Sequence, residues 1–406
     1  MNTGDTAFVL VSAALVMLMT PGLALFYGGM VRNKNVLGTI MQSFIIIGVI
    51  TLEWVLFGYS LSFGMDHGGF IGGLNWLGLR GVGIAPNPQY GPTIPHLAFM
   101  IFQCMFAIIT PALITGTFAE RIKFNAFLAF TILWAIIVYN PLCHWVWGAG
   151  GWIGKMGALD FAGGTVVHIS SGVSALAAAI VIGKRLGYGS TAYRPHNLPM
   201  TITGAAILWF GWFGFNAASA LACNGLAVNA FVVTHIASSV AALSWMVVEW
   251  INRGKPTTLG AASGAVAGLV AITPASGFVG PLSALIIGLF AGVICYGAIV
   301  LKSLFGYDDS LDVVGIHGCG GIWGALATGI FASKAVNPGG ADGLFFGNPS
   351  QLWIQCVAVL VTIVYAFGLS YILLKVIDKV IGLRVSKEDE ISGLDLSQHD
   401  ETAYTF

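Results

Sequence analysis

DFAGGTVVH, residues 160–168, and DVVGIH, residues 312–317, begin two apolar segments of the chain with the same succession of Asp, Gly and His. They open the fifth and the tenth of the apolar segments that are long enough to span a membrane. Because the copies lie an odd number of spans apart, they cross a membrane in opposite directions, as the halves of an inverted repeat do. The pattern predicts an all-α polytopic membrane protein with a 5+5 inverted repeat and one further helix.

The composition agrees with a membrane protein. Hydrophobic residues make up 57% of the 406 residues, charged residues make up only 8%, and the mean hydropathy is +0.86. A soluble domain carries about 25% charged residues, so most of the surface of this chain does not face water. The formal net charge is zero, which argues against a nucleic-acid partner.

Eleven apolar stretches approach the length of about 20 residues that a transmembrane helix needs. The predicted spans are residues 6–30, 38–63, 96–119, 124–147, 162–183, 198–219, 225–250, 258–275, 279–301, 310–332 and 351–374.

The basic residues support this count. If the N-terminus lies outside, fourteen of the 17 Lys and Arg fall on the cytoplasmic side, and only Arg80, Lys155 and Lys334 fall outside. Cytoplasmic connections carry an excess of positive charge in membrane proteins. The sequence therefore predicts a multi-pass protein of the cell membrane with its N-terminus outside and its C-terminus in the cytoplasm.

The predicted transmembrane domain covers residues 1–381. Its repeat halves lie at about 6–183 and 198–332, and the eleventh helix lies at about 351–381. Residues 382–406 form the most polar stretch and are predicted to be a cytoplasmic tail. The tail has two interpretations, a solvated segment or an element that docks on the inner face and regulates the protein.

Motifs for enzyme chemistry are missing. The sequence has no phosphate-binding loop, no G-x-S-x-G and no H-E-x-x-H. The six cysteines lie in apolar segments without C-x-x-C spacing, so they signal neither a zinc site nor a disulfide framework. We expect no enzyme activity, no metal and no cofactor.

Polar residues inside predicted spans are functional candidates by default. The inverted repeat would bring His168 and His317 together near the midplane, where neutral imidazoles can share one hydrogen bond and could relay a proton. Each could instead be a structural histidine. Asp160 and Asp312 are expected to cap their helices. Glu53 is expected to be protonated and hydrogen-bonded between helices, without an assigned transport role.

Aromatic residues indicate a cation site. Trp212, Phe215 and Ser219 lie on one face of the sixth span, Phe106 lies in the third span, and Trp147 ends the fourth. Aromatic faces attract a desolvated cation by about 0.5–2 kcal/mol. The alternative for each residue is ordinary packing or an interfacial aromatic belt.

Longer motifs resemble one known family along nearly the whole chain, the ammonium transporter family (Amt/Mep/Rh), and the Amt branch in particular. The matching stretches are PGLALFYGGMVRNKN (21–35), TGTFAERIKFNAF (115–127), HWVWGAGG (144–151), DFAGGTVVHISSG (160–172), KRLGYG (184–189), PHNLPM (195–200), WFGWFGFNAASA (209–220), GIHGCGGIWGALATGIFA (315–332) and GLRVSKEDEISGLDLSQHDETAY (382–404).

The resemblance implies a bacterial or archaeal homotrimer with a central pore in each subunit. It implies an outer ammonium site of Phe106, Trp147 and Ser219. It also implies that Asp160 organises this site without touching the ion.

For the pore itself, the resemblance implies a gate of two stacked rings, Phe106 and Phe215. Below the gate it implies twin histidines, His168 and His317, and a wall residue, Trp212. The function expected is transport: NH4+ binds at the outer site, loses a proton and crosses as NH3 through an apolar pore, with a proton relay through the histidines left open.

Two other functions remain open on the sequence. The chain could be an ammonium sensor, the receiver domain of a signalling protein without its output domain, or an ion-coupled transporter of a larger solute. The resemblance also implies that the tail contacts a neighbouring subunit, and it suggests a PII-type nitrogen-signalling protein as a partner at the cytoplasmic face.

Overall fold

Long apolar helices form most of the molecule. In the computed structural model, which describes residues 1–190 and 192–405, ten helices are long and apolar enough to cross a membrane. They are Thr3–Met30, Asn33–Phe63, His96–Phe118, Phe124–Lys155, Gly164–Ile182, Leu198–Ala220, Gly225–Arg253, Pro281–Phe305, Val314–Phe331 and Pro349–Ile381. We call the face on which the chain begins the outer face, and the face on which it ends the inner face. The predicted all-α, multi-pass fold is confirmed.

The eighth predicted span is shorter than the others. Its helix, Thr258–Ile272, has 15 residues, which is about 22 Å at 1.5 Å per residue. The hydrocarbon core of a bilayer is about 30 Å thick. A buried turn, residues 273–278, continues the segment towards the outer face, and the carbonyl of Pro274 in this turn accepts a hydrogen bond of 3.1 Å from the Phe161 backbone N–H. Residues 1–190 and 192–405 therefore contain ten long spans and one short span completed by a turn.

Equivalent spans of the two halves pack against each other. Spans one and six, the first of each half, make the most extensive helix–helix contact in the described part of the chain. At Gly204 in span six, an added Cβ would lie 2.3 Å from the backbone nitrogen of Phe26. At Gly172 in span five, an added Cβ would lie 2.2 Å from the backbone nitrogen of Gly318 in span ten. Small residues permit such close crossings, and the second crossing brings the two histidine-bearing spans together.

Four π-helical turns interrupt the spans within residues 1–190 and 192–405. They are Trp54–Gly58, Ala135–Tyr139, Gly164–Ile169 and Val314–Cys319. Turns of this kind bond each N–H to the carbonyl five residues earlier and are frequent at functional sites. The last two turns carry His168 and His317.

The connections on the outer face contain short regular elements. Asp66–His67 pairs antiparallel with Ile71–Gly72, and Pro86–Asn87 pairs antiparallel with Gly91–Pro95. The short helix Trp152–Lys155 ends the fourth segment and is separated from the helix Asn140–Trp147 by a break at residues 148–151. Single 3₁₀ turns lie on this face at Leu77–Leu79, Ala218–Ala220 and Leu344–Phe346, and on the inner face at Asn33–Asn35.

The tail lies against the inner face of its own subunit. It forms two short helices, Lys387–Ser392 and Leu394–His399. The backbone N–H of Leu394 donates to Asn35 Oδ1 at 2.8 Å, and Asp395 Oδ1 accepts from the Gly38 N–H at 2.8 Å. These bonds favour the docking interpretation of the tail over the solvated one.

Candidate functional site

An aromatic pocket opens at the outer face. The cavity has a volume of about 310 Å³, and Phe106, Trp147, Ser219 and Gln103 contribute to its lining. The Trp147 ring stands edge-on to Phe106, with 5.8 Å between centroids and 89° between planes. The Ser219 hydroxyl donates to the Phe215 carbonyl at 2.9 Å, which leaves the oxygen free to accept from a ligand. The pocket therefore offers ring faces and a hydroxyl oxygen to a small cation.

Two stacked phenylalanine rings close the bottom of this pocket. The centroids of Phe106 and Phe215 lie 4.1 Å apart at an interplanar angle of 30°, and both side chains are buried. Phe215 contacts His168 on its inner side, with ring centroids 6.3 Å apart. The ring pair thus separates the outer pocket from the histidines.

The two histidines meet as the inverted repeat predicts. The Nδ1 atoms of His168 and His317 are 3.3 Å apart, and their rings are tilted by 23°. One Nδ1 must donate a proton and the other must accept it, because neutral imidazole carries one N–H. Trp212 stacks on His168 at 5.4 Å and donates from Nε1 to the Thr273 hydroxyl at 2.9 Å.

The space around the histidine pair is narrow and apolar. Its other lining residues include Leu113, Leu208 and Val266, and the cavity volume is about 10 Å³. A cavity needs about 10–15 Å³ to hold one water molecule. His168 Nε2 is buried without a hydrogen-bond partner in the described residues. The arrangement suits a small neutral molecule that can bond to imidazole, and it is hostile to a hydrated ion.

The Asp160 carboxylate is occupied by the start of its own helix. It accepts from the backbone N–H groups of Gly163 at 2.8 Å, Gly164 at 2.6 Å and Thr165 at 2.8 Å, and from the Thr165 hydroxyl. Gly163 has φ 114°, a conformation that glycine adopts readily. The Asp160 carbonyl accepts from Trp147 Nε1 at 2.9 Å. The main chain at Asp160 therefore contacts Trp147, which lines the outer pocket.

The predicted capping role of Asp312 is wrong. Asp312 pairs with Lys302 at 2.5 Å, and a third of its side chain is exposed. Asp309 caps the tenth span instead, since its Oδ2 accepts from the Val314 N–H at 2.8 Å. Asp309 precedes His317 by eight residues, as Asp160 precedes His168, so this spacing is the true repeat. Burial raises the pKa of Asp309 above its ordinary value.

Sequence reasoning also missed Gln103 in the outer pocket. Its Oε1 is buried and lacks a donor in the described residues. Gln103 precedes Phe106 by three residues, so the helical spacing was the signal that could have placed both on one face.

Buried ion pairs hold together the inner end of the site. Glu120, at φ 73°, accepts from Arg32 Nε at 2.9 Å and from Arg185 Nη1 at 3.1 Å. Arg185 also pairs with Asp308 at 2.8 Å. Burial alone would raise the pKa of Glu120, but the hydrogen bond and charge of Arg32 outweigh it and hold the pKa below its ordinary value. The same balance, with Arg185 as the partner, lowers the pKa of Asp308.

The amino-acid sequence matches a known family along nearly its whole length. Residues 7–404 match the sequence model of the Ammonium Transporter Family. The chain belongs to this family. The ammonium transporter of Bacillus subtilis (strain 168) is 55% identical over 405 residues, covering 100% of this chain and 99% of that protein.

Solved structures of members of the Ammonium Transporter Family share the fold. The crystal structure of Saccharomyces cerevisiae Mep2 matches with a TM-score of 0.90 and 36% identity, covering 96% of this chain and 88% of that chain. A structure described as a Sensor Amt Protein matches with a TM-score of 0.89 and 31% identity, covering 98% of both chains.

Proposed function

We propose that this protein conducts ammonium and ammonia across the cell membrane through a pore within each subunit. Its family membership and the relatives that are named ammonium transporters support this function. The observation that carries the proposal is the order of groups along one line: an aromatic pocket with a hydroxyl, a stacked ring pair and a buried histidine pair.

Recruitment of NH4+ takes place in the outer pocket. The ring faces of Phe106 and Trp147 attract a cation by about 0.5–2 kcal/mol. The oxygens of Ser219 and Gln103 can each accept one ammonium N–H. A potassium ion of similar size needs a full shell of oxygens, which this pocket does not supply. Directional acceptors among ring faces therefore favour ammonium over potassium.

Deprotonation precedes passage through the pore. Moving a bare ion into an apolar medium costs roughly tens of kcal/mol, far more than the loss of one proton. NH3 is neutral, and it can accept from an imidazole N–H or donate to an imidazole nitrogen. His168 Nε2 lacks a partner and is placed to make such a bond.

The proton removed from ammonium either follows through the histidines or does not cross the membrane, and an electrical measurement distinguishes the two cases. If it follows through His168 and His317, transport carries charge. Addition of ammonium to proteoliposomes then gives a current that His168→Ala abolishes. An unchanged current in His168→Ala excludes the relay.

The outward surface of spans six and seven suits the proposed assembly as a homotrimer. His235 is exposed in span seven and lies beside Trp209, with ring centroids 5.5 Å apart. Polar side chains within a membrane rarely face lipid, so this surface suits contact with another copy. Native mass measurement in mild detergent tests the trimer, and a monomeric mass contradicts it.

The proposed orientation has the N-terminus outside and the C-terminus in the cytoplasm, as the basic residues predict. The docked tail would then be accessible to a regulator, and a PII-type signalling protein at the inner face is the partner we propose. Its relatives are named ammonium transporters, and we propose transport, without enzyme activity, as the role of this chain.

Ammonium sensing is the second candidate. The match to the Sensor Amt Protein supports it, because that chain shares the whole fold with this one. A sensor would bind ammonium in the same outer pocket, whereas a transporter moves it. Saturable binding without flux in proteoliposomes supports the sensor, and flux supports the transporter.

A further inference from the structure

Glu53 is a buried carboxyl group in the second span that the pore does not use. Its side chain is 4% exposed, and its Oε1 accepts from Asn140 Nδ2 at 2.7 Å. Its Oε2 has no hydrogen-bond partner, and no Lys, Arg or His pairs with it, within the described residues. An unpaired carboxylate in a membrane is expensive. Glu53 therefore serves best as a neutral acid that holds Asn140.

Glu53 and Asn140 lie at the edges of two π-helical turns. Glu53 immediately precedes the turn Trp54–Gly58 in span two, and Asn140 immediately follows the turn Ala135–Tyr139 in span four. Each turn ends with a backbone bond across five residues, from Tyr59 to Trp54 and from Asn140 to Ala135. A π-helical turn changes the register of the helix beyond it, so the outer ends of both spans need lateral contacts to set their positions.

A chain of hydrogen bonds supplies these contacts between spans two and four. The Ser62 hydroxyl donates to Asn140 Oδ1 at 3.3 Å, and His144 Nδ1 lies 2.9 Å from the Ser62 carbonyl. His144 Nε2 lies 3.0 Å from Asp66 Oδ1 at the outer surface. The hydrogen bond to His144 lowers the pKa of Asp66. Glu53 is the inner end of this chain and Asp66 is its outer end.

The helix held in this way carries an outer-site residue. It runs from Asn140 to Trp147, which are seven residues apart and thus lie on one face. Trp147 stands against Phe106 and bonds to the Asp160 carbonyl. We propose that Glu53 is a positioning residue for the outer site: through Asn140 it fixes the helix that places Trp147 over the ammonium pocket.

This proposal rests on the proposed function of the outer pocket. It predicts that the shape and acceptor of Glu53 matter and that its charge does not. Gln at this position keeps the carbonyl acceptor for Asn140 at the same reach. Ala at this position removes the acceptor. Asp has a side chain one methylene shorter, so its acceptor lies farther from Asn140.

The test compares Glu53→Gln, Glu53→Ala and Glu53→Asp in proteoliposomes by concentration-dependent ammonium flux. In Glu53→Ala and Glu53→Asp we expect the apparent KM to rise roughly tenfold while the maximal flux stays within about twofold, as when an interaction made equally in the ground and transition states is lost. Glu53→Gln should keep the wild-type KM. Glu249→Ala is the matched control, since it removes an equally buried carboxyl that bonds to Thr257 at the inner face.

Several outcomes overturn the proposal. A wild-type KM in Glu53→Ala shows that Trp147 is positioned without Glu53. An equal defect in Glu53→Gln and Glu53→Ala shows that charge is what matters. A KM increase in Glu249→Ala as large as in Glu53→Ala shows a general effect of lost stability.

A readout independent of transport separates this proposal from the proposed function. Amide hydrogen exchange of residues 140–147 should be faster in Glu53→Ala than in the wild type, and unchanged in Glu53→Gln. Absence of flux in the wild-type protein defeats the proposed function. Equal exchange in all variants defeats the positioning role, whether or not flux occurs. If Glu53→Ala does not fold, the same two measurements on Glu53→Asp and Glu53→Gln test the proposal. Only Glu53→Asp should then differ from the wild type.

Discussion

Removal of the Asp160 carboxylate should damage the start of the fifth span in two graded steps. Its Oδ1 accepts from the N–H groups of Gly163 and Gly164, and its Oδ2 accepts from the N–H and the hydroxyl of Thr165. Asp160→Asn keeps one carbonyl oxygen and turns an NH2 group towards two donors. Asp160→Ala leaves all four donors without this acceptor.

The magnitudes follow from the number of donors that lose their acceptor. A buried donor without an acceptor costs about 1–3 kcal/mol. The hydroxyl of Thr165 can rotate to another acceptor, whereas the backbone groups cannot. Asp160→Asn can keep its oxygen on the two glycine N–H groups and lose only the Thr165 N–H, so at the lower end of that range it should lose about 1 kcal/mol, and Asp160→Ala about 3 kcal/mol. Replacement of ordinary helix caps costs about 0.5–2 kcal/mol, and the three backbone donors of Asp160 place Asp160→Ala above that range.

Two assays on the same preparations measure this effect. The unfolding midpoint in detergent should fall in the order wild type, Asp160→Asn, Asp160→Ala. Ammonium flux should fall with it, because loss of the cap lets the backbone at residue 160 shift, and its main-chain carbonyl accepts from Trp147 Nε1 at 2.9 Å. Wild-type stability in Asp160→Ala, or a larger loss in Asp160→Asn than in Asp160→Ala, would refute the capping argument.

Three further predictions concern the gate, the repeat contact and the inner ion pairs. Phe215→Ala removes a ring stacked 4.1 Å from Phe106, so we expect faster osmotic water flow through proteoliposomes and a stability loss of about 3–5 kcal/mol; water flow equal to wild type would show that the rings do not close the pore. In Gly172→Val the new Cβ would lie only 2.2 Å from the backbone nitrogen of Gly318, so the yield of monodisperse protein should fall sharply. A normal yield would contradict the close crossing of spans five and ten. Glu120 has a lowered pKa, so its stabilising contribution is present above its unfolded-state pKa and is lost as the pH falls through its folded-state pKa. Glu120→Gln should therefore reduce the loss of stability at acid pH, and an unchanged acid-pH dependence of stability would show that Glu120 does not cause it.

The helical fold could be predicted from the sequence for two reasons. A membrane span needs about 20 apolar residues, and basic residues gather in the cytoplasmic connections. The eighth span deviates because the buried turn at Pro274 replaces its last helical turn. Hydropathy does not distinguish a buried turn from a helix, since both are apolar.

The pairing of His168 with His317 was predictable from the inverted repeat, but the capping acid was not assigned correctly. Asp308, Asp309 and Asp312 lie close together in the sequence, and the structure shows that Asp309 is the one that bonds to the helix start. The eight-residue spacing to the histidine would have selected Asp309.

The outer pocket depends on contacts between four spans and is therefore harder to predict. Phe106 and Phe215 stack across the two halves of the chain, and no local spacing predicts that contact. The roles of Trp147, Ser219 and Asp160 stay predictions that the geometry supports. Glu53 could be singled out from the sequence as a buried acid, but its partner Asn140 could not.

Ammonium uptake by proteoliposomes that contain only this protein tests the central claim most directly, with potassium at equal concentration as the competing ion. We expect saturable ammonium uptake that potassium at this concentration does not inhibit, because the pocket binds ammonium through ring faces and two directional acceptors. Absence of uptake, or equal uptake of potassium, would contradict it.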